Sequence, residues 1–130
     1  MYRTKSHDIE VTVEPEFMSD RSAPEDGYFF WSYTITIANQ GADTVQLKTR
    51  HWIITDANGR VQEVRGDGVV GEQPQLAPGE SFEYTSGVPL TTPSGFMTGS
   101  YGMVREGGGA FDIDIPTFSL DRPGAKRSLN

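Results

Sequence analysis

The sequence predicts an all-β protein, an antiparallel β-sandwich of about seven strands. Three observations predict it. Apolar residues recur with a period of two along most of the chain, as half-buried strands require. Turn chemistry separates these runs at short, fairly even intervals. No window of about 11 residues carries the apolar stripe of an amphipathic helix. Composition agrees: Gly 15 and Pro 8 make up about 18% of the chain, against about 12% on average. A length of 130 residues suits a single domain, 1–130, with one core.

The elements follow in order. Ile9, Val11 and Val13 alternate with Asp8, Glu10, Thr12 and Glu14, and Pro15 marks that strand as an edge or ends it. Residues 18–27 (MSDRSAPEDG) form a polar loop. The clearest alternation comes next. Phe29, Trp31, Tyr33, Ile35 and Ile37 share one face, with Ser32, Thr34 and Thr36 on the other, so the first set belongs to the core. Asn39-Gln40-Gly41-Ala42-Asp43 is turn chemistry. VQLKTRHWIIT (45–55) is a strand, and Val61 and Glu63 pair back on it. Between them Asn58-Gly59 is expected to supply the positive φ of a type I′ turn.

Glycines and prolines punctuate residues 65–80, a long loop or crossover. SFEYTSG (81–87) and residues 96–105 are further strands, and Gly107-Gly108-Gly109 is a hairpin turn. FDIDIPTF (111–118) is the last strand, with Phe111, Ile113 and Ile115 opposite Asp112 and Asp114. A frayed, flexible tail is expected from about residue 121. Hairpins at 52–64 and 98–115, joined by a long crossing between 64 and 81, give an immunoglobulin/fibronectin type III-like arrangement. One sheet holds the strands near 9, 33 and 84. The other holds those near 50, 62, 100 and 113. A β-barrel satisfies the same spacing.

Charge and composition exclude several classes. Lys+Arg 11 against Asp+Glu 18 gives −7, which argues against broad nucleic-acid binding. Zero Cys removes disulfides, thiolate metal sites and a cysteine nucleophile. There is no apolar run of about 18 residues to span a membrane. The opening MYRTKSHDIEVTV has no signal-peptide h-region, so a cytoplasmic location is expected.

One motif invites a nucleotide. Gly66-Asp67-Gly68-Val69-Val70-Gly71 matches G-x-G-x-x-G. A dinucleotide fold needs a helix directly after it, whose N-terminal amides meet the pyrophosphate. Here Pro74 and Pro78 follow and deny that helix. The Lys-Ser/Thr pair of a P-loop is also missing. Gly66, Gly68 and Gly71 therefore serve backbone geometry first, and a loop anion nest is the remaining chemical use.

The run HWIITDANGRVQEVRGDGVVGEQPQLAPGESFEYTSGVPLTTPSGFMTGSYGMV (51–104) resembles the ApaG family. The resemblance continues through FDIDIPTFSLDRPG (111–124), and more loosely through IEVTVEPEF and YTITIANQG. It implies a fibronectin type III-like sandwich in a small bacterial protein, often encoded beside a diadenosine tetraphosphate hydrolase and a ribosomal RNA dimethyltransferase. It also implies kinship with domains of an F-box protein and a polymerase delta-interacting protein that look like recognition modules. The family is associated with cobalt tolerance and magnesium efflux. Its glycine signature falls on Gly66, Gly68 and Gly71, and it brings no catalytic residue.

The remaining reactive residue types are sparse. His7 and His51 are the two histidines. Alternation puts His51 on the Leu47/Ile53 face as a partly buried, hydrogen-bonded side chain. Ser86 lacks a G-x-S-x-G elbow. Asp112 and Asp114, with Glu10, Glu14 and Glu16, read as solvated strand faces rather than a metal cage. No metal and no cofactor is expected. Lys48, Arg50, Arg60 and Arg65 cluster in sequence, with Lys48 and Arg50 expected on one face, and form either ordinary surface charge or a local anion patch.

The expectation is a non-enzymatic protein-interaction module with an unidentified protein partner, self-association included. Its surface would be Arg65, Gly66, Asp67, Gly68, Gly71 and Glu72. The alternative is a binder of a phosphate-rich small ligand, such as a dinucleoside polyphosphate, on the same loop with Arg65.

Overall fold

The protein's computed structural model describes residues 1–122. Its strands are β1 (Tyr2–Ser6), β2 (Ile9–Phe17), β3 (Phe29–Asn39), β4 (Val45–Asp56), β5 (Val61–Asp67), β6 (Gln75–Leu76), β7 (Ser81–Leu90), β8 (Ser94–Arg105) and β9 (Ala110–Asp121). One sheet has the order β1-β2-β3-β7 and the other β5-β4-β8-β9, with β6 paired to β4. All pairings are antiparallel. This is the expected sandwich, with the expected strands in each sheet. It is not a barrel, since each sheet keeps two edges. Among the described residues no helix is long and apolar enough to cross a membrane. The tail expected from about 121 falls largely outside the described residues, and β9 itself runs to Asp121.

Several local features differ from expectation. The strand β1 was not anticipated, because Tyr2, Thr4 and Ser6 alternate without large aliphatic residues. It joins β2 through a two-residue turn in which His7 and Asp8 take φ values of 51° and 63°. Aspartate tolerates that left-handed region better than most residues. Residues 18–27 contain two one-turn 3₁₀ helices, Ser19–Arg21 and Pro24–Asp26.

Pro15 neither ends β2 nor makes it an edge strand. It lies beyond Val13, the last β2 residue that β1 reaches, so the strand has a partner on one side only at that point. Proline is tolerated there because no ladder bond is lost on the open side.

The turn after β4 is not type I′, since Gly59 has positive φ (82°) and Asn58 does not. Instead the Asp56 carboxylate accepts from the amides of Asn58 (2.8 Å) and Arg60 (3.0 Å). An Asx cap replaces the Asn-Gly geometry.

The most consequential irregularity is in β4. Its register with β8 slips between Leu47 and Thr49, a β-bulge at Lys48. A bulge adds one residue and reverses the inward–outward alternation beyond it. Val45 and Leu47 face the core before it; Trp52 and Ile54 face the core after it. His51 is therefore not on the Leu47 face. It lies outward with Thr49, and Arg50 turns toward the interior side. Lys48 and Arg50 do not share a simple strand face. A second slip, between Met97 and Gly99, lets β9 change parity from Ile113 and Ile115 to Phe118 and Leu120, all four of them buried.

Between the sheets sits an aromatic cluster. Phe118 is fully buried, with its ring centroid 5.8 Å from Tyr33, 6.0 Å from Trp52 and 6.1 Å from Tyr2. Trp31, Tyr33, Ile35 and Ile37 are buried, as their alternation requires. The Trp31 Nε1–H donates to the Asp121 carbonyl at 2.9 Å, tying the two sheets together at one end. Asn39, a buried polar residue, donates to the carbonyls of Asp43 and Leu76 and accepts from Gly41 N–H, so the turn after β3 is fastened to β6.

Phe118→Ala removes a ring that both sheets share. It is expected to cost about 3–5 kcal/mol, the range for large-to-small core aromatic changes. Urea unfolding of both proteins measures it, and a loss below about 1 kcal/mol would contradict this packing.

Candidate functional site

The glycine segment is a hairpin of its own. Val69 N–H donates to the Glu72 carbonyl (2.8 Å) and Glu72 N–H to the Val69 carbonyl (2.9 Å). Between them Val70 and Gly71 take φ values of 43° and 80°, as a two-residue type I′ turn requires. Gly68 N–H donates to the Lys48 carbonyl at 2.8 Å. The amides of Gly68, Val69 and Glu72 are thus used within the protein, so at these positions no nest of free N–H groups faces solvent. Arg65 is exposed and lies 3.6 Å from Glu63, its ion partner. The sequence-predicted residues are brought onto one hairpin, with Arg65 and Asp67 exposed at its base and Gly71 and Glu72 exposed near its tip.

Each glycine has a separate physical reason. Gly66 lies under the Arg50 guanidinium; a Cβ there would stand 2.8 Å from Cζ. Gly68 has φ +65°, and a Cβ would collide with the Glu72 carbonyl oxygen. Gly71 has φ +80° in open space.

Arg50 is the residue that sequence reasoning underrated. Its Nη1 donates to the carbonyls of Asp67 (2.9 Å) and Gly68 (3.0 Å), so it supports the hairpin from below. It also opens onto a cleft of about 410 Å³ lined by Tyr33, Val64, Val69, Ser86 and Val88 among others. The topology creates this cleft. On one lateral side β9 packs across β1 and β2, and Asp114 N–H donates to Ser6 Oγ at 3.1 Å. On the other, the edge strands β5 and β7 do not pair with each other. Inward-facing side chains are left uncovered there. Past Ile54, Gln62 and Pro89 the cleft continues into a second depression bordered by Tyr28, Val61 and Leu90.

Three tyrosine hydroxyls lie in this region. Tyr84 and Tyr101 share a buried hydrogen bond between the sheets. Burial pushes both hydroxyls well above the usual tyrosine range. Burial also raises Tyr33, against the opposing pulls of a hydrogen bond with Ser86 and the nearby Arg50 charge. All three therefore remain protonated near neutrality.

His51 is on the other face of the sheet. Its enclosed Nε2 has no hydrogen-bond partner and lies 3.6 Å from a Glu63 carboxylate oxygen. It is not near Ser86 or the cleft tyrosines, as the lining residues of the cleft make clear. Among the described residues no three His, Asp or Glu side chains converge as metal ligands. Arg50 and the tyrosines were not legible as a site, because the bulge that turns Arg50 inward leaves no mark in the alternation.

Two packed antiparallel sheets with a lateral cleft define an immunoglobulin-like β-sandwich. Residues 19–105 match the ApaG domain. Proteins called Protein ApaG are similar along their whole length: that of Bradyrhizobium diazoefficiens is 68% identical, and that of Afipia carboxidovorans 67%, each with 100% of both chains covered. The crystal structure of an ApaA protein from Bordetella pertussis superposes with a TM-score of 0.88 at 50% identity, covering 93% of this chain and 98% of that one. The C-terminal domain of wzt shares the fold alone, with a TM-score of 0.55 at 12% identity, covering 99% of this chain and 81% of that one. The chain belongs to the ApaG family.

Two outcomes test this geometry. Gly68→Ala is expected to destabilise by more than about 1–2 kcal/mol, since it adds a collision to a left-handed φ. Gly71→Ala should cost less, near 1 kcal/mol, because only the φ opposes it. Equal losses would contradict the hairpin. The second outcome is alkaline. A tyrosine whose pKa is raised by folding contributes stability that is fully present below its unfolded value of 10.0. That stability is lost as pH rises above it. The part of the near-ultraviolet tyrosinate absorbance that comes from Tyr33, Tyr84 and Tyr101 should therefore appear only with loss of the sheet circular-dichroism signal, above about pH 10. Full tyrosine ionisation in a still-folded protein would contradict the burial.

Proposed function

We propose that this domain is a non-enzymatic recognition module that binds a protein partner across its open β5/β7 side, with the glycine hairpin at the tip. The observation that carries this reading is Val70. It combines φ 43° with 54% exposure. A β-branched residue is costly in that region, and glycine or asparagine is the residue that local chemistry favours. An exposed valine is also the wrong choice for solvent. A position that breaks two local rules on the rim of the open cleft points to a demand from outside the molecule. Tyr28 and Val61, at 42% and 61% exposure, border the same side. Together with Val70 they supply the apolar contacts that interface cores use.

Support for a non-enzymatic reading comes from residue types. The cleft offers Ser86, hydroxyls held protonated and one guanidinium, with no general base beside the serine. The phosphate-rich ligand reading gains little from the loop: the Gly68, Val69 and Glu72 amides are bonded within the protein, and Arg65 faces Glu63.

Val70→Asn separates structure from function. Stability is expected to stay level or rise by about 0.5–1 kcal/mol, because asparagine accepts the left-handed conformation. Proteins captured by the wild type from source-cell extract, identified by mass spectrometry, should be lost with Val70→Asn and with Glu72→Ala. Asp112→Asn, on exposed β9, should retain them. Identical captured sets for wild type and Val70→Asn would defeat this reading.

A further inference from the structure

We infer that the cleft between β5 and β7 is a binding site for a small organic carboxylate with an apolar or aromatic body, its carboxylate held by Arg50. The inference goes beyond protein recognition: it rests on Arg50 and the inner walls of the cleft, whereas the partner reading rests on the exposed hairpin tip, and Val70 borders both.

The charge balance inside the cleft is the first observation. The chain carries −7, yet no Asp or Glu lines this cleft and Arg50 is its one charged residue. Half-buried arginines ordinarily find a carboxylate. Arg50 has none among the described residues. Its hydrogen bonds are both made by Nη1, to the carbonyls of Asp67 and Gly68. Those two bonds fix the guanidinium while leaving Nε and Nη2, the side-on pair of donors that fits the two oxygens of one carboxylate. Two backbone carbonyls hold the guanidinium, and no carboxylate of the described residues pairs with it.

The second observation is what surrounds that donor pair. Val64, Val69, Val88 and Met97 line the cleft with apolar surface, together with Trp52. A space of about 410 Å³ falls within the usual range for small-molecule sites, which are mostly apolar with a few convergent polar groups. Ser86 and Tyr33 stand opposite each other on paired strands and bring hydroxyl donors to the same end. These groups favour a single anionic head with a hydrophobic tail. The same lone guanidinium repels an amine and leaves a neutral amide without its best donor pairing.

The third observation is the bulge. Without the extra residue at Lys48, strand alternation would send Arg50 outward and its neighbours inward. Bulges are often placed where a side chain has to be re-aimed toward a site.

The test uses the whole purified chain, uniformly labelled with nitrogen-15, and three probes of one shape: phenylbutyrate, phenylbutyramide and phenylbutylamine. Phenylbutyrate is expected to shift the amides of Val64, Ser86 and Val88 and the Arg50 side-chain Nε–H. It should bind at least about tenfold more tightly than the amide or the amine. Arg50→Met should abolish that preference. Because Arg50 also supports the hairpin, Val64→Glu on the edge strand gives a second route. It leaves Arg50 in place, supplies a competing carboxylate, and should weaken phenylbutyrate about tenfold or more in a folded protein. Glu72→Ala, outside the cleft lining, should leave the preference intact while losing the protein partner, so the two readings can fail separately. Equal binding of acid and amide, or shifts confined to other surfaces, overturns the inference. So does binding by N-acetylphenylalanine without binding by phenylbutyrate, which would assign the cleft to the end of a peptide chain.

Discussion

One extra residue in β4 organises much of this molecule. At Lys48 the strand bulges, and its backbone carbonyl accepts both the Gly68 amide and the Gln73 side-chain amide. The glycine hairpin is therefore fastened to the same irregularity that turns Arg50 inward. Arg50 then returns two hydrogen bonds to the hairpin carbonyls. Strand geometry, loop position and the placement of a charge at the sandwich edge are thus one coupled arrangement. A substitution that regularised β4 would alter all three.

The two lateral sides of the sandwich show opposite solutions to one problem. A strand edge exposes unpaired backbone groups and invites association. On the β1/β9 side the sheets close on each other, with the Tyr2 and Phe118 rings in contact beneath. On the β5/β7 side they stay apart. There the edges carry Glu63 and Arg65 on β5 and Pro89 on β7, residues that discourage uncontrolled strand addition. The open side is guarded rather than sealed.

Most of the fold was legible because its information is local. Phe29 to Ile37 alternate without interruption, and the structure buries those inward residues. The sheet assignments followed from two hairpins and a long crossing. What escaped was whatever depends on parity or on turn type. His51 was misplaced because a bulge reverses alternation without changing composition. The strand Tyr2–Ser6 was missed because its side chains are polar or half-buried. The left-handed pair His7 and Asp8 was hidden because neither residue is glycine. In the site, the glycines were visible and their backbone role could be argued. The cleft was not, since Tyr33, Arg50, Val64 and Ser86 come from four strands and meet only in three dimensions.

The placement of Phe118 also governs when this chain can fold. The ring at the centre of the core belongs to the last strand, and the Trp31 indole finds its acceptor in Asp121, 90 residues later. Sheets assembled from such distant partners fold slowly, since loop closure precedes the contacts that reward it. A chain emerging from the ribosome would carry β1 to β8 with the centre of the core unfilled until β9 brings Phe118. The segment that matches the family domain, 19–105, contains neither β2 nor β9. As an isolated fragment it would lack the strand that carries Phe118, and the unit of folding is therefore larger than that segment.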